Sequence, residues 1–423
     1  MLDGNKRVQE AAASAFANLE EKAKAELKPY CHIIIQQFVK CFGRYKDRNM
    51  FILYDCVQTL AEHVGPGLQQ PELVNMLMPA LIARYNKVSD QSREMFPLLE
   101  CLSYIAIALG AHFAPYAQPI FERCIAIMQT NIQDTIRAST NPAFDQPEKD
   151  FLVTSLDLIS AVVQALDTPR IGALIADSQP NLFELLPYCM QDGSDDVRQS
   201  AYALLGDCAI YVFPQIQQYL PSIMAILIEQ MDLREANRHG EGTGYSVINN
   251  ACWSVGEIAM RQREGMQPYM DNLLQKLGTI LYTPGVPESL IENAAIALGR
   301  LGIGCPQLLA PHLTHIAQPF INAISRVAWT DEKGHALKGF AQIVLCNPGA
   351  MEKPLLSFFL EMSRAPKEFL TGPGEPVNGY EDRPYESLKQ VYAQYQAMIP
   401  TFDAFLGALP PDSARALREN YAS

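Results

Sequence analysis

The stretch 194–207, SDDVRQSAYALLGD, decides how the chain folds. A serine and two aspartates mark a helix start, where unpaired backbone N–H groups favour acceptors and negative charge. Val197, Ala201, Leu204, Leu205 and Cys208 then return every three or four residues, which makes one apolar stripe on an α-helix. The same construction, a polar cap followed by a stripe rich in small residues, recurs from Asn5 (NKRVQEAAASAF) and from Pro287 (PESLIENAAIALGRLG). Between such segments lie helices that open on proline, at Pro29-Tyr30, Pro71, Pro115-Tyr116, Pro187-Tyr188, Pro214, Pro268-Tyr269 and Pro311. Strand-like alternation is almost absent, so the chain reads as all-α, in helix pairs separated by Pro, Gly or Asp.

The pattern D-x-V-R-x-x-A-x-x-L from Asp195 resembles the second helix of a HEAT repeat. One copy is only a capped amphipathic helix, but related helices returning every 40–50 residues or so match the period of a helix-pair solenoid. The length then holds roughly nine or ten pairs. The expected organisation is a HEAT-repeat superhelical array over 1–370, a loop at 371–383 and a C-terminal helical cap over 384–423. Two further interruptions, 138–149 (ASTNPAFDQPEK) and 233–245 (LREANRHGEGTGY), read as solvated loops. GEGTG in the second follows no strand and precedes no lysine, so it is no phosphate cradle.

With 423 residues, 48% of them hydrophobic, the chain buries a large core, which excludes disorder and a small disulfide-stapled fold. Its net charge of −13 argues against a direct nucleic-acid partner and favours basic ones. No run of about 18 uncharged apolar residues appears, so no membrane span is expected, and the start lacks the apolar core of a secretory signal. Ten cysteines stand singly with no CxxC, as small buried hydrophobes of a reduced protein. His312-x-x-His315 has no third ligand nearby, and no nucleophile elbow, P-loop or HExxH motif is present. No enzyme activity, metal or cofactor is expected.

In a solenoid the second helices line the inner, concave face, and helical phase tells which side of each is turned from the core. In 246–260, Ile248, Ala251, Cys252, Val255, Ile258 and Ala259 form the core stripe, and Trp253 falls far from its centre with Asn249, Asn250 and Glu257. In 288–302, Ile291, Ala294, Leu298 and Leu301 form the stripe and Ile296 lies nearly opposite. Trp253 and Ile296, one repeat apart, are thus expected to be exposed neighbours; the alternative for Ile296 is a contact with an adjacent helix. Asp157, Asp207, Asp55 and Thr59 are turned from their stripes in the same way, and Glu21 ends the first inner helix. Their recurrence points to an acidic groove for Lys and Arg, with Trp253 and Ile296 taking apolar side chains.

Several segments carry a closer likeness: NKRVQEAAASAFANLEEKA, ILYDCVQTLAEHVG, CMQDGSDDVRQSAYALLGD, NNACWSVGEI and ENAAIALGRLG. In these the chain resembles the C-terminal half of the transportins (karyopherin-β2), nuclear import receptors of the importin-β superfamily. The resemblance implies that the inner surface binds an extended basic nuclear localisation signal ending in Pro-Tyr. It carries the basic contacts onto Glu21, Asp55, Thr59, Asp157 and Asp207. It carries the N-terminal epitope of the signal onto Trp253 and Ile296, with Asn249, Asn250 and Glu257 around them. Gln164 departs from the pattern, which suggests an acid there. The partners implied are signal peptides of cargo, often RNA-binding proteins, and Ran-GTP and nucleoporins for a full-length receptor that shuttles between cytoplasm and nucleus. Because the chain opens on the second helix of a repeat, it reads as a truncated receptor with partial cargo binding. The competing expectation is a HEAT scaffold of another multiprotein complex.

Overall fold

The computed structural model describes residues 1–46, 48–237, 244–370 and 383–422, in two compact units. The first, Met1–Gln218, runs α1 (Lys6–Ala23), α2 (Cys31–Phe42), α3 (Arg48–Val64), α4 (Pro71–Tyr85), α5 (Met95–Leu109), α6 (Ala114–Thr140), α7 (Asp150–Ala165), α8 (Thr168–Asp177), α9 (Leu182–Met190), α10 (Asp195–Tyr211) and the single turn α11 (Phe213–Ile216). Helices α1, α3, α5, α7 and α10 lie side by side in that order; α2 packs on α4 and α6 on α9 to form a second layer.

The second unit, Tyr219–Ser423, repeats the plan. It runs α12 (Leu220–Gln230), α13 (Gly244–Gln262), α14 (Met270–Tyr282), α15 (Glu288–Gly304), α16 (Pro306–Leu309), α17 (Leu313–Ile324), α18 (Asp331–Cys346), α19 (Leu355–Met362), α20 (Lys367–Leu370), α21 (Tyr385–Met398), α22 (Phe402–Leu406) and α23 (Pro411–Tyr421). Here α13, α15, α18 and α21 make the first row and α12, α14, α17 and α19 the second. No strand occurs among the described residues. The all-α expectation holds, in the layered helix pairs of a HEAT solenoid.

Local chemistry sets the helix ends. Asn5 accepts from the Arg7 N–H and Asp167 from the Arg170 N–H. Pro187 lies inside α9 rather than opening it: the start is fixed instead by a capping box between Asn181 and Glu184. The chain leaves α1, α3, α5 and α13 through a left-handed residue, Lys24, Gly65, Gly110 and Arg263 respectively. The expected loop at 138–149 begins later, because α6 continues to Thr140. Most of the other two interruptions, 238–243 and 371–382, lies outside the described residues.

Ion pairs join one repeat to the next. Arg84 grips Glu94 with two bonds of 2.6 Å, and the Tyr54 hydroxyl donates to the same carboxylate. Lys149 reaches Asp192 and Lys276 reaches Asp232, each at 2.6 Å. Arg234 and then Lys276 hold the Asp232 carboxyl well below the ordinary carboxylate range. The stretch 95–140 holds a window apolar and long enough to cross a membrane by composition, yet the stretch consists of α5 and α6 joined by a tight turn, and more than half of that window is buried. Nine cysteines are buried as expected; Cys346, the last residue of α18, is exposed.

Helices α15 and α18 approach each other closely. A methyl group on Gly339 would strike the Gly299 carbonyl, and one on Gly299 would strike the Ala336 carbonyl. Only glycine lets these backbones approach so far. Gly339→Ala should therefore lower unfolding stability by about 1–3 kcal/mol through overpacking. Gly278→Ala in α14, where a methyl meets nothing within 4 Å, should raise it by up to about 1 kcal/mol through helix propensity. Chemical denaturation of both variants checks this, and a shift of the same sign in both would refute it.

Candidate functional site

Each first-row helix in the middle of a row has neighbours on both sides, and this decides which residues stay open. On α3, between α1 and α5, Asp55 is exposed but Thr59, one turn on, is buried. The expectation of an open Thr59 is thus corrected: residues on the flanks of a packed helix are covered by its neighbours. Glu21, at the end of α1, is exposed and lies 3.5 Å from the His63 ring. Desolvation, and then the charge of Glu21, push the Asp55 carboxyl up.

Beneath this pair sits Glu20, which phase analysis left out. It is wholly buried, and neither carboxylate oxygen has a hydrogen-bond partner. Burial, with the charge of Asp55 added, pushes its pKa up to about 9. The periodicity of α1 carried the signal, since Gln9, Ala13 and Glu20 share one buried stripe.

Between α5 and α7 a groove of about 420 Å³ is lined by Glu100, Tyr104, Ile107, Asp157, Ser160 and Gln164, among others. Asp157 opens into this groove, as expected, yet protein on several sides desolvates it. That desolvation raises its pKa; the Ser200 hydroxyl opposes the rise and the Glu100 charge adds to it. Ile107 projects beside it with 54% of its surface exposed, an apolar wall that no sequence signal singled out. Asp207 does not stand open on the flank of α10. It is buried, accepting from the Ser160 hydroxyl and, at 3.0 Å, from the Gln164 amide. The departure at Gln164 now has a physical reason: an amide can donate to Asp207, where a second carboxylate would repel it.

In the second unit Trp253, on α13, is half-buried, and its indole N–H donates to Glu332 of α18 at 3.3 Å. Glu257 is not available to a basic ligand. It is buried and clamped by Arg300 at 2.7 Å and Arg261 at 2.6 Å. Ile296 is likewise buried, with 5% of its surface exposed. Its helix, α15, is held tightly between α13 and α18, so the side turned from the core stripe meets a neighbouring helix, which is the alternative the sequence left open. Asn249 and Asn250 are half-buried; Asn249 accepts from the Asn293 amide at 3.0 Å. Arg300, buried in the middle of IALGRLG, is a further residue that phase analysis missed, and a lone arginine in an apolar run was its signal. Among the described residues no group of three or more His, Cys, Asp and Glu side chains is placed to hold a metal ion.

Two outcomes follow from these burials. Removing Glu257 leaves Arg300 charged and buried, so Glu257→Ala should cost about 3–5 kcal/mol of stability; a denaturation midpoint equal to wild type would show the clamp to be dispensable. Because folding raises the Glu20 pKa to about 9, its contribution to stability is complete below the ordinary carboxylate value of about 4.3 and is lost as pH rises toward the folded value. Glu20→Gln should remove that loss. The variant should melt above wild type by a margin that grows as pH rises from about 4.3 toward about 9 and should match it below about 4.3; parallel melting curves across pH would refute this.

Comparison with known proteins places this geometry. No family model matches the chain. Importin subunit beta-2 of Schizosaccharomyces pombe is 38% identical over 408 residues, 93% of this chain and 44% of that protein. Human transportin-1 is 39% identical over 359 residues, 85% of this chain and 39% of its own length. The chain thus spans less than half the length of the curated relatives it matches. Among solved structures, importin beta superposes with a TM-score of 0.63 at 14% identity, covering all of this chain and 51% of that one. Kap121p bound to RanGTP superposes with a TM-score of 0.52, also at 14% identity, covering 95% of this chain and 37% of that one. These structural likenesses carry the fold, and the sequence identity carries the rest: over the stretch it shares with them, the chain belongs to the transportin, or importin β2, family.

Proposed function

We propose that the chain is the cargo-binding part of a nuclear import receptor, taking extended basic nuclear localisation signals of the Pro-Tyr type. The observation that carries this is a pair of desolvated carboxylates, Asp55 and Asp157, that open to solvent with no basic side chain bridged to either among the described residues. A carboxylate in that condition gains most from an incoming cation, because the protein has removed much of its water and supplied no counter-charge. Glu21 extends the acidic stretch beside Asp55, and Ile107 and Tyr104 beside Asp157 offer apolar surface to the aliphatic stem of a lysine or arginine.

In the second unit Trp253, with Asn249 and Asn250 on the same helix, takes the apolar part of the signal. Thr59, Asp207, Glu257 and Ile296 support their helices from within and make no direct contact. The likeness to relatives named importin and transportin supports a role in nuclear transport. Kap121p, of like fold, has been solved with RanGTP and with Nup53p. By that analogy Ran-GTP and nucleoporins are partners of the whole receptor.

The test is titration of a labelled basic Pro-Tyr peptide. Asp55→Lys with Asp157→Lys should weaken binding at least about tenfold at low salt, and the difference should shrink as salt rises. Charge reversal at Glu122, an exposed second-layer carboxylate on α6, should leave affinity unchanged. Equal losses from both sets would reject the reading.

A further inference from the structure

We infer that Glu332 is a positioning residue for Trp253, fixing the indole so that it presents one defined surface to a ligand. The inference rests on reading Trp253 as a signal contact. What it adds is a residue that neither helical phase nor family resemblance selects, on a helix two first-row positions away.

The geometry is specific. Trp253 lies on α13 and Glu332 in the first turn of α18, with α15 between them. The indole N–H donates to Glu332 Oε1 at 3.3 Å, and Arg300 Nη2 stands 3.5 Å from the same oxygen. Arg300 is in turn fixed by Glu257 at 2.7 Å, and Glu257 by Arg261 at 2.6 Å. Gly256 leaves the space this requires, since a methyl there would lie 3.2 Å from the Arg300 side chain. A chain of charge-assisted bonds therefore runs from the buried Arg261 to the half-buried indole.

An indole has one donor and no acceptor, so a single bond to the ring edge fixes its orientation. A carboxylate held beside a buried arginine is fixed in direction. Such a bond is stronger than one to a neutral acceptor. A half-exposed tryptophan without this bond would exchange between side-chain rotamers, and a ligand would have to pay for ordering it. With the bond the ordering is done in advance, and the open part of the ring is ready to pack.

The experiment uses the full chain carrying Trp329→Phe, which leaves Trp253 as the only tryptophan of the two. Time-resolved fluorescence anisotropy reads the mobility of the indole. Titration reads two peptides, one with an apolar N-terminal segment before its basic and Pro-Tyr elements and one lacking that segment. Glu332→Ala should loosen the indole and weaken the apolar peptide about tenfold, as for loss of one charge-assisted bond, while the shorter peptide binds as before. Glu332→Asp keeps a charge near Arg300 but is one carbon short of the indole; it should behave like the alanine variant. Glu332→Gln keeps an acceptor and should restore slow indole motion. Unchanged anisotropy in the Ala and Asp variants would overturn the positioning role. Loosened anisotropy with unchanged affinity for both peptides would leave the positioning intact and reject Trp253 as the contact.

Discussion

The constraint on which the rest depends is the lateral packing of first-row helices. Where α15 meets α18 the helices approach so closely that glycine is required, and a helix with first-row neighbours on both sides has little free circumference. Two sides go to neighbours and one to the second layer. What remains is a narrow crest, and a residue must sit on it to meet a ligand. Asp55 and Asp157 do; Thr59, Asp207 and Ile296 do not. A crest also concentrates whatever it carries, since successive helices bring their crests side by side within a unit. Two or three well-placed side chains then suffice to give a unit its binding character.

Carboxylates play two opposite parts in the structure. In the second unit, Glu257 and Glu361 are buried and paired, the one with Arg300 and Arg261, the other with Lys333 at 2.6 Å. These acids bind the protein to itself, and removing one would leave a stranded cation. In the first unit Asp55 and Asp157 are desolvated but face open space, and their pKa values rise because no cation balances the loss of water. Burial is costly in both units. At Asp55 and Asp157, in the proposed reading, the missing counter-charge is left for another molecule to supply.

The fold was legible from single helices because a capped apolar stripe, repeated at a steady spacing, can bury itself only by stacking on its like. Asp55 and Asp157 were legible for a related reason: each is turned away from a stripe, and the second layer covers only the stripe. Phase fails wherever a neighbouring helix covers the side that a stripe leaves open. It measures the angle from the core of one helix and contains nothing about the helices beside it, so Ile296 and Thr59 looked open when their neighbours close over them. The same gap hid Arg300 and Glu332, whose roles depend on partners two to five helices apart in sequence. The resemblance to transportins selected the same residues as phase at several flank positions, and so could not correct phase there.

Glu20 shows what such a surface costs the protein that carries it. A wholly buried carboxyl lies under Glu21 and Asp55, and with its pKa raised to about 9 it is neutral at physiological pH. Had it been charged, three negative groups would crowd the end of α1 and the middle of α3, and their repulsion would work against the packing that forms the crest. Neutrality inside permits charge outside. A cation arriving at Asp55 would draw down the charge that helps hold the Glu20 proton in place, so the buried acid and the open one are linked even though only the open one can touch a ligand. The acidic crest is therefore a surface property set in part from beneath, by a residue whose contribution is to remain uncharged.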